Sequence, residues 1–270
     1  MRMTVLLTRM EAAREVIEAA LERSRRLGAG VTLLYVREER LFELPIFGEE
    51  EPSLEGAREH LESLVREAGG EEWAVLAYED DPVDHLLLEA DREKAALMMS
   101  DLEGGERAEL IAKARTPLLL LKSGAPHRYE HGLIVFDPAY SEAVCLPAVY
   151  RILDARRWSA YMDYQVVPTM GTDLSLDPVV DTLATDIQLE AEVMDARKKA
   201  FLDLCEREEL EGVFEVGEHG MVEDILAQAE KVGADCLAVI AEDHETLLAE
   251  ALGELAKRVS HDLLICFQQD

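Results

Sequence analysis

The sequence predicts an α/β protein built from two repeats of one unit, each a five-stranded parallel sheet covered by helices. Three observations carry this. Short apolar runs without polar alternation recur along the chain, as strands buried on both faces do. Amphipathic stretches with three-and-four spacing stand between them. The strand–helix order then runs through twice, with a joint containing Gly124 and Pro126 near the middle.

The elements of the first half follow in order. Thr4 to Thr8 is an apolar strand. Ala13, Val16, Ile17, Ala20 and Leu21 give Glu11 to Arg26 a helical face, and Gly28 and Gly30 stop it. Val31 to Val36 is a second strand. Ser53 is placed to cap a helix to Glu67, which Gly69 and Gly70 end. Trp73 to Tyr78 is a strand and Pro82 to Ala90 a helix. Ala95 to Met99, Glu106 to Ala114 and Pro117 to Leu121 give strand, helix and strand.

The second half repeats the rhythm. Leu133 to Phe136 is a strand, and Ala139 to Arg156 a helix with a kink expected at Pro147. Ala160 to Val167 is a strand and Ile187 to Arg207 a long helix. Val213 to Val216, Val222 to Val232, Cys236 to Ile240, Thr246 to Val259 and Leu263 to Phe267 complete the alternation. Two domains are expected, 1–123 and 129–270, with 124–128 as linker.

Composition bounds the function. The 270 residues carry 57 Asp and Glu against 27 Lys and Arg, a formal charge of −30. That excludes a phosphate-backbone binder and docking on anionic lipid, which need a basic face. The bases are 20 Arg and 7 Lys. Acid-rich, Lys-poor composition suits a salt-rich cytosol, where screening tames self-repulsion, and equally an ordinary acidic protein. No run approaches the roughly 20 apolar residues of a membrane span. The apolar start turns acidic at Glu11, so no secretory segment and a cytoplasmic location are expected. Cys145, Cys205, Cys236 and Cys266 form no CxxC pair and sit among apolar neighbours, which reads as reduced, packed thiols.

Several local patterns resemble the universal stress protein family. The stretch Gly217-Glu218-His219-Gly220-Met221-Val222-Glu223-Asp224-Ile225-Leu226, then Ala229 and Gly233-Ala234-Asp235-Cys236-Leu237-Ala238-Val239-Ile240, is the nearest match. Asp81-Pro82-Val83-Asp84-His85-Leu86-Leu87-Leu88-Glu89-Ala90 is its counterpart in the first half. The helix-to-strand endings Ala112 to Leu121 and Lys257 to Cys266 also resemble the family. The chain as a whole is similar to two such domains in tandem. The resemblance implies flavodoxin-like (Rossmann-like) sheets of order 3-2-1-4-5, with ligands at the carboxyl ends of the strands near the order reversal.

Nucleotide-binding members carry Gly-x2-Gly-x9-Gly-Ser/Thr after the fourth strand. Glycines let backbone N–H groups approach phosphate, and a helix N-terminus faces the anion. Here Gly104 and Gly105 fall where Gly-Ser is expected, but only Asp101-Leu102-Glu103 separates them from the fourth strand. The second half reads Ala241-Glu242-Asp243-His244-Glu245-Thr246, with no glycine before Gly253. Acids at both places oppose phosphate. Asp137 matches the acid that the family places at the end of the first strand. It reads equally as an N-cap before Pro138. Val36 and Val167 match the valine lining the family's adenine pocket, and read equally as core.

Other constellations carry less. Asp173, Asp177 and Asp181 read as an acidic loop, and Asp80-Asp81-Pro82-Val83-Asp84-His85 could hold a cation or equally be a helix start with N-terminal acids. The histidines show no metal spacing and no Gly-x-Ser-x-Gly elbow exists, so no catalytic or metal residue is assigned. Leu41-Phe42-Glu43-Leu44-Pro45-Ile46-Phe47 is an apolar loop suited to packing on the chain itself, a second copy or a protein partner. The fifth strands, at sheet edges, are expected to pair with each other within the chain. The sequence reading is a regulatory or interaction protein, non-enzymatic and with no cofactor. The alternative is an ATP- or AMP-binding switch with Mg²⁺ and a modified loop. Third comes a weak ATPase or hydrolase.

Overall fold

The computed structural model describes residues 1–37, 53–125, 127–138, 145–165, 180–217, 219–241 and 247–267. The first half contains β1 (Arg2–Leu7), α1 (Ala13–Leu27), β2 (Gly30–Arg37), α2 (Leu54–Ala68), β3 (Ala74–Glu79), α3 (Pro82–Glu93), β4 (Leu97–Ser100), α4 (Gly105–Lys113) and β5 (Leu118–Leu120). The second contains β6 (His131–Val135), α5 (Leu146–Leu153), β7 (Arg157–Tyr164), α6 (Val180–Arg207), β8 (Glu211–Val216), α7 (Met221–Val232), β9 (Cys236–Ala241), α8 (Leu247–Arg258) and β10 (Asp262–Phe267).

All ten strands form one sheet in the order β3-β2-β1-β4-β5-β10-β9-β6-β7-β8. Each half has the order 3-2-1-4-5 with parallel neighbours. The halves meet at one antiparallel ladder, where Leu118, Leu119 and Leu120 of β5 face Ile265, Leu264 and Leu263 of β10. Neither fifth strand is left with an open apolar edge.

The central strands are buried along their length because helices cover both faces. One core lies between the sheet and α1, α2, α5 and α6; the other lies under α3, α4, α7 and α8. Both cores run through the central ladder, so neither half buries its apolar surface alone. Helix packing also crosses the joint. Gly253 on α8 lies against Ala108 on α4, and on the opposite face Arg26 of α1 reaches Asp154, just past α5, at 2.8 Å.

Local chemistry sets the element ends. Ser53 and Asp81 cap α2 and α3, accepting from the N–H groups of Gly56 and Asp84 at 3.1 and 2.9 Å. In β6, Gly132 is required by close packing: an added Cβ would stand 2.2 Å from Trp158 of β7.

Four expectations are corrected. Pro147 sits in the first turn of α5, where its missing N–H costs nothing, and makes no kink. The described part of that helix ends at Leu153, with Asp154 in a left-handed C-cap. The β7 strand runs Arg157–Tyr164 and stops before Val167, which lies outside the described residues. The α6 helix begins at Val180, so Asp181 is helical; Asp173, Asp177 and the loop 41–47 lie outside the described residues.

Candidate functional site

In a doubly wound sheet the ligand crevice lies beyond the carboxyl ends of the strands where their order reverses. In the first half that point is between β1 and β4. The backbone leaves the β1 ladder after Leu7, freeing the N–H groups of Thr8 and Arg9. Asp101, one residue past β4, accepts both, at 2.9 and 3.3 Å, and the Thr8 hydroxyl at 3.1 Å. The Asp101 carboxylate is only 2% exposed. The Arg9 guanidinium lies 3.7 Å from Asp101 and 3.0 Å from Glu103. Burial pushes the Asp101 carboxyl above its usual range, and the Thr8 contacts and the Arg9 charge offset this only in part.

Outside this knot lies a cleft of about 260 Å³, lined by Thr8, Arg9, Val36, Arg37, Pro82, Glu103 and Glu106. It is at the small end of ligand sites. Val36 is therefore both core and cleft wall. Gly104 holds φ +64° and caps α4, which Gly105 begins. The short Asp101-Leu102-Glu103 connection thus reaches the helix through a left-handed glycine. It brings the carboxylates of Asp101 and Glu103 to the N-terminal end of α4.

The second half has a differently furnished crevice. At the β5–β10 ladder Leu119 lies opposite Leu264, and the halves are related by an approximate two-fold there. Following the strand pairing outward makes Thr8 the counterpart of Asp137, Asp101 of Ile240, and Val36 of Asp163. Val167, which the sequence matches to the same family valine as Val36, lies outside the described residues. The acid stands after the fourth strand in one half and after the first strand in the other. Asp137 pairs with Arg197 of α6 at 3.0 Å, and Arg197 lies over the Tyr164 ring at 5.7 Å. Residues 242–246, where the sequence places acids against phosphate, lie outside the described residues.

Asp163, at the Val36 position, accepts from Gln165 through one oxygen. Its other oxygen and the nearby Tyr161 hydroxyl are buried with no hydrogen-bond partner among the described residues. Burial, with the charges of Asp224 and Glu215, overrides the Gln165 bond and pushes the Asp163 carboxyl up to about 6. A carboxyl raised in the folded state costs stability once the pH exceeds its unfolded range near 4, and the full cost is present above the folded value. Asp163→Asn is therefore expected to stabilise the protein by about 1–2 kcal/mol at neutral pH and by nothing near pH 4. Urea denaturation at the two pH values checks this; equal effects at both would show that charge is not the cause.

Sequence reasoning singled out Asp137, Val36, Gly104 and Gly105 but missed Arg9, Arg197 and Asp163 as site residues. An arginine at the end of the first strand, where an acid was sought, was the available signal for Arg9. Arg197 is 60 residues from Asp137 and gave none. The four cysteines are free thiols. Burial raises them all, Cys205 to about 11, which keeps them protonated. Among the described residues no group of His, Cys, Asp and Glu could hold a metal ion, and no helix is long and apolar enough to cross a membrane.

No protein-family model matches the sequence, and no curated protein matches it. Solved structures do. A functionally unknown protein, PA1789 from Pseudomonas aeruginosa PAO1, superposes with a TM-score of 0.62 at 13% identity, covering 98% of this chain and 92% of that one. A universal stress protein from Archaeoglobus fulgidus DSM 4304 gives 0.57 at 14% identity, covering 99% and 97%. This chain has the fold of that universal stress protein. The similarity runs through both halves of this chain.

Proposed function

We propose that this chain is a universal-stress-type protein acting as a non-enzymatic regulatory or interaction module, without tight ATP binding. The observation that carries the reading is the Asp101 carboxylate seated on the N–H groups of Thr8 and Arg9, with Arg9 tied to Glu103. An incoming phosphate would have to displace a buried carboxylate from its donors and pass a second one. Like charges about 4 Å apart near a surface cost on the order of 1–4 kcal/mol. Titration calorimetry with ATP and Mg²⁺ is expected to show no binding heat up to millimolar nucleotide. A micromolar Kd would overturn the reading.

A second reading, a nucleotide-responsive switch in the second half, draws on Asp137. There the acid stands at the end of the first strand with a cation, Arg197, beside it. If ATP binds, Asp137→Ala should abolish the binding, and unchanged affinity would remove this version.

A further inference from the structure

His127 lies in the connection between β5 and β6, and its imidazole stands between two carboxylates. Its Nδ1 is 2.6 Å from Asp262 Oδ2 and its Nε2 is 3.2 Å from Glu15 Oε1. A carboxylate only accepts hydrogen bonds. A neutral imidazole carries one N–H and satisfies one of these contacts; only the imidazolium donates to both.

Every element around the ring takes part. Asp262 opens β10 and is fully buried; it also accepts from the Lys122 N–H at 2.7 Å and from the Tyr129 hydroxyl. Glu15 on α1 accepts from the Gly124 N–H at 3.0 Å. Arg23, also on α1 and buried, donates to the His127 carbonyl at 3.2 Å and the Tyr129 hydroxyl at 2.6 Å. The Cys236 thiol of β9 borders the cluster and is held protonated by burial. Glu22, further along α1, pairs outward with Arg26 and Arg128. Within the cluster, two cations, Arg23 and protonated His127, balance two anions, Asp262 and Glu15.

We propose that His127 is a proton-operated latch on the connection between the two halves. Protonated, it straps that connection to α1 and β10 at once; on losing its proton it keeps Asp262, the shorter and buried contact, and lets go of Glu15. Desolvation of the ring opposes its charge, but the hydrogen bond and charge of Asp262, with Glu15, outweigh this and raise the His127 pKa above the ordinary histidine value. The sign follows. A group raised in the folded state contributes its full stabilisation below its unfolded value, near 6.5, and loses it as the pH rises through the folded one. The latch is closed while the imidazole is protonated and opens as the pH rises through its folded-state value.

Hydrogen exchange, expressed as protection factors corrected for the intrinsic pH dependence, tests this on the intact chain. Protection of the Gly124 amide should fall about tenfold between pH 6 and about pH 9, the value of one charge-assisted hydrogen bond, while β1 stays unchanged. His127→Gln should show the lower protection at both pH values. Glu15→Gln supplies an amide that accepts from the imidazolium or donates to the neutral ring. It should keep the fold and abolish the pH dependence. Protection that does not change with pH in the natural chain, or an undiminished pH-dependent fall in Glu15→Gln, would overturn the latch. Because Glu15 is partly exposed, that variant decides the matter even if His127→Gln fails to fold.

Discussion

Arg107→Ala is expected to lower the unfolding free energy by about 3–5 kcal/mol. Arg107 on α4 is 2% exposed and spends its guanidinium on backbone carbonyls. It donates to Leu102 in the β4–α4 connection, to Leu121 just past β5 at 2.7 Å, and to Ala256 of α8 at 3.2 Å. One planar fork thus satisfies acceptors from three segments, one of them in the other half. Truncation leaves three buried carbonyls without a donor, at about 1–3 kcal/mol each before relaxation. Lysine reaches the same space with a point charge instead of a fork, so Arg107→Lys should recover only part of the loss. Urea denaturation followed by circular dichroism measures both. A loss under about 1 kcal/mol would mean that water replaces the guanidinium.

Asp101→Ala should convert the first crevice from self-occupied to anion-binding. The variant frees the N–H groups of Thr8 and Arg9 and leaves the Arg9 guanidinium with Glu103 and the backbone carbonyl of residue 101. Without added anion it is expected to lose about 1–2 kcal/mol, because two part-buried backbone donors lose their acceptor. Inorganic phosphate should restore stability in the variant and leave the natural chain unaffected; an anion at 100 times its Kd contributes about 2.7 kcal/mol. Combining the change with Glu103→Gln should tighten the phosphate response further. Thermal denaturation across a phosphate series reads this directly. A variant as indifferent to phosphate as the natural chain would show that the carboxylate is not standing in for a ligand.

Much of the fold was legible because burial leaves a direct trace in composition. Apolar runs such as Leu118 to Leu121 and Cys236 to Ile240 have no polar alternation since helices cover both faces of their strands. Capping residues were equally legible: Ser53 and Asp81 act within three residues of their own positions. The site was less so. Asp101 could be recognised as an acid in the wrong place for phosphate. Its turn inward onto Thr8 and Arg9 depends on a contact across 93 residues. The β7 boundary was misplaced because Gln165, Val166 and Val167 extend the strand-like composition past the residues that pair with β8.

The sequence by itself determined the α/β class, the twofold repetition of one strand–helix unit, the acidic charge and the missing glycine pattern. Each is written in local residue types. Only the tertiary structure decided how the halves share one ten-stranded sheet, which acid faces which backbone N–H, and that His127 stands between Glu15 and Asp262. Those features join residues some 90 to 135 positions apart. Periodicity and capping reach one or two helical turns, so they carry no record of such pairs. Packing against the shared cores fixes them.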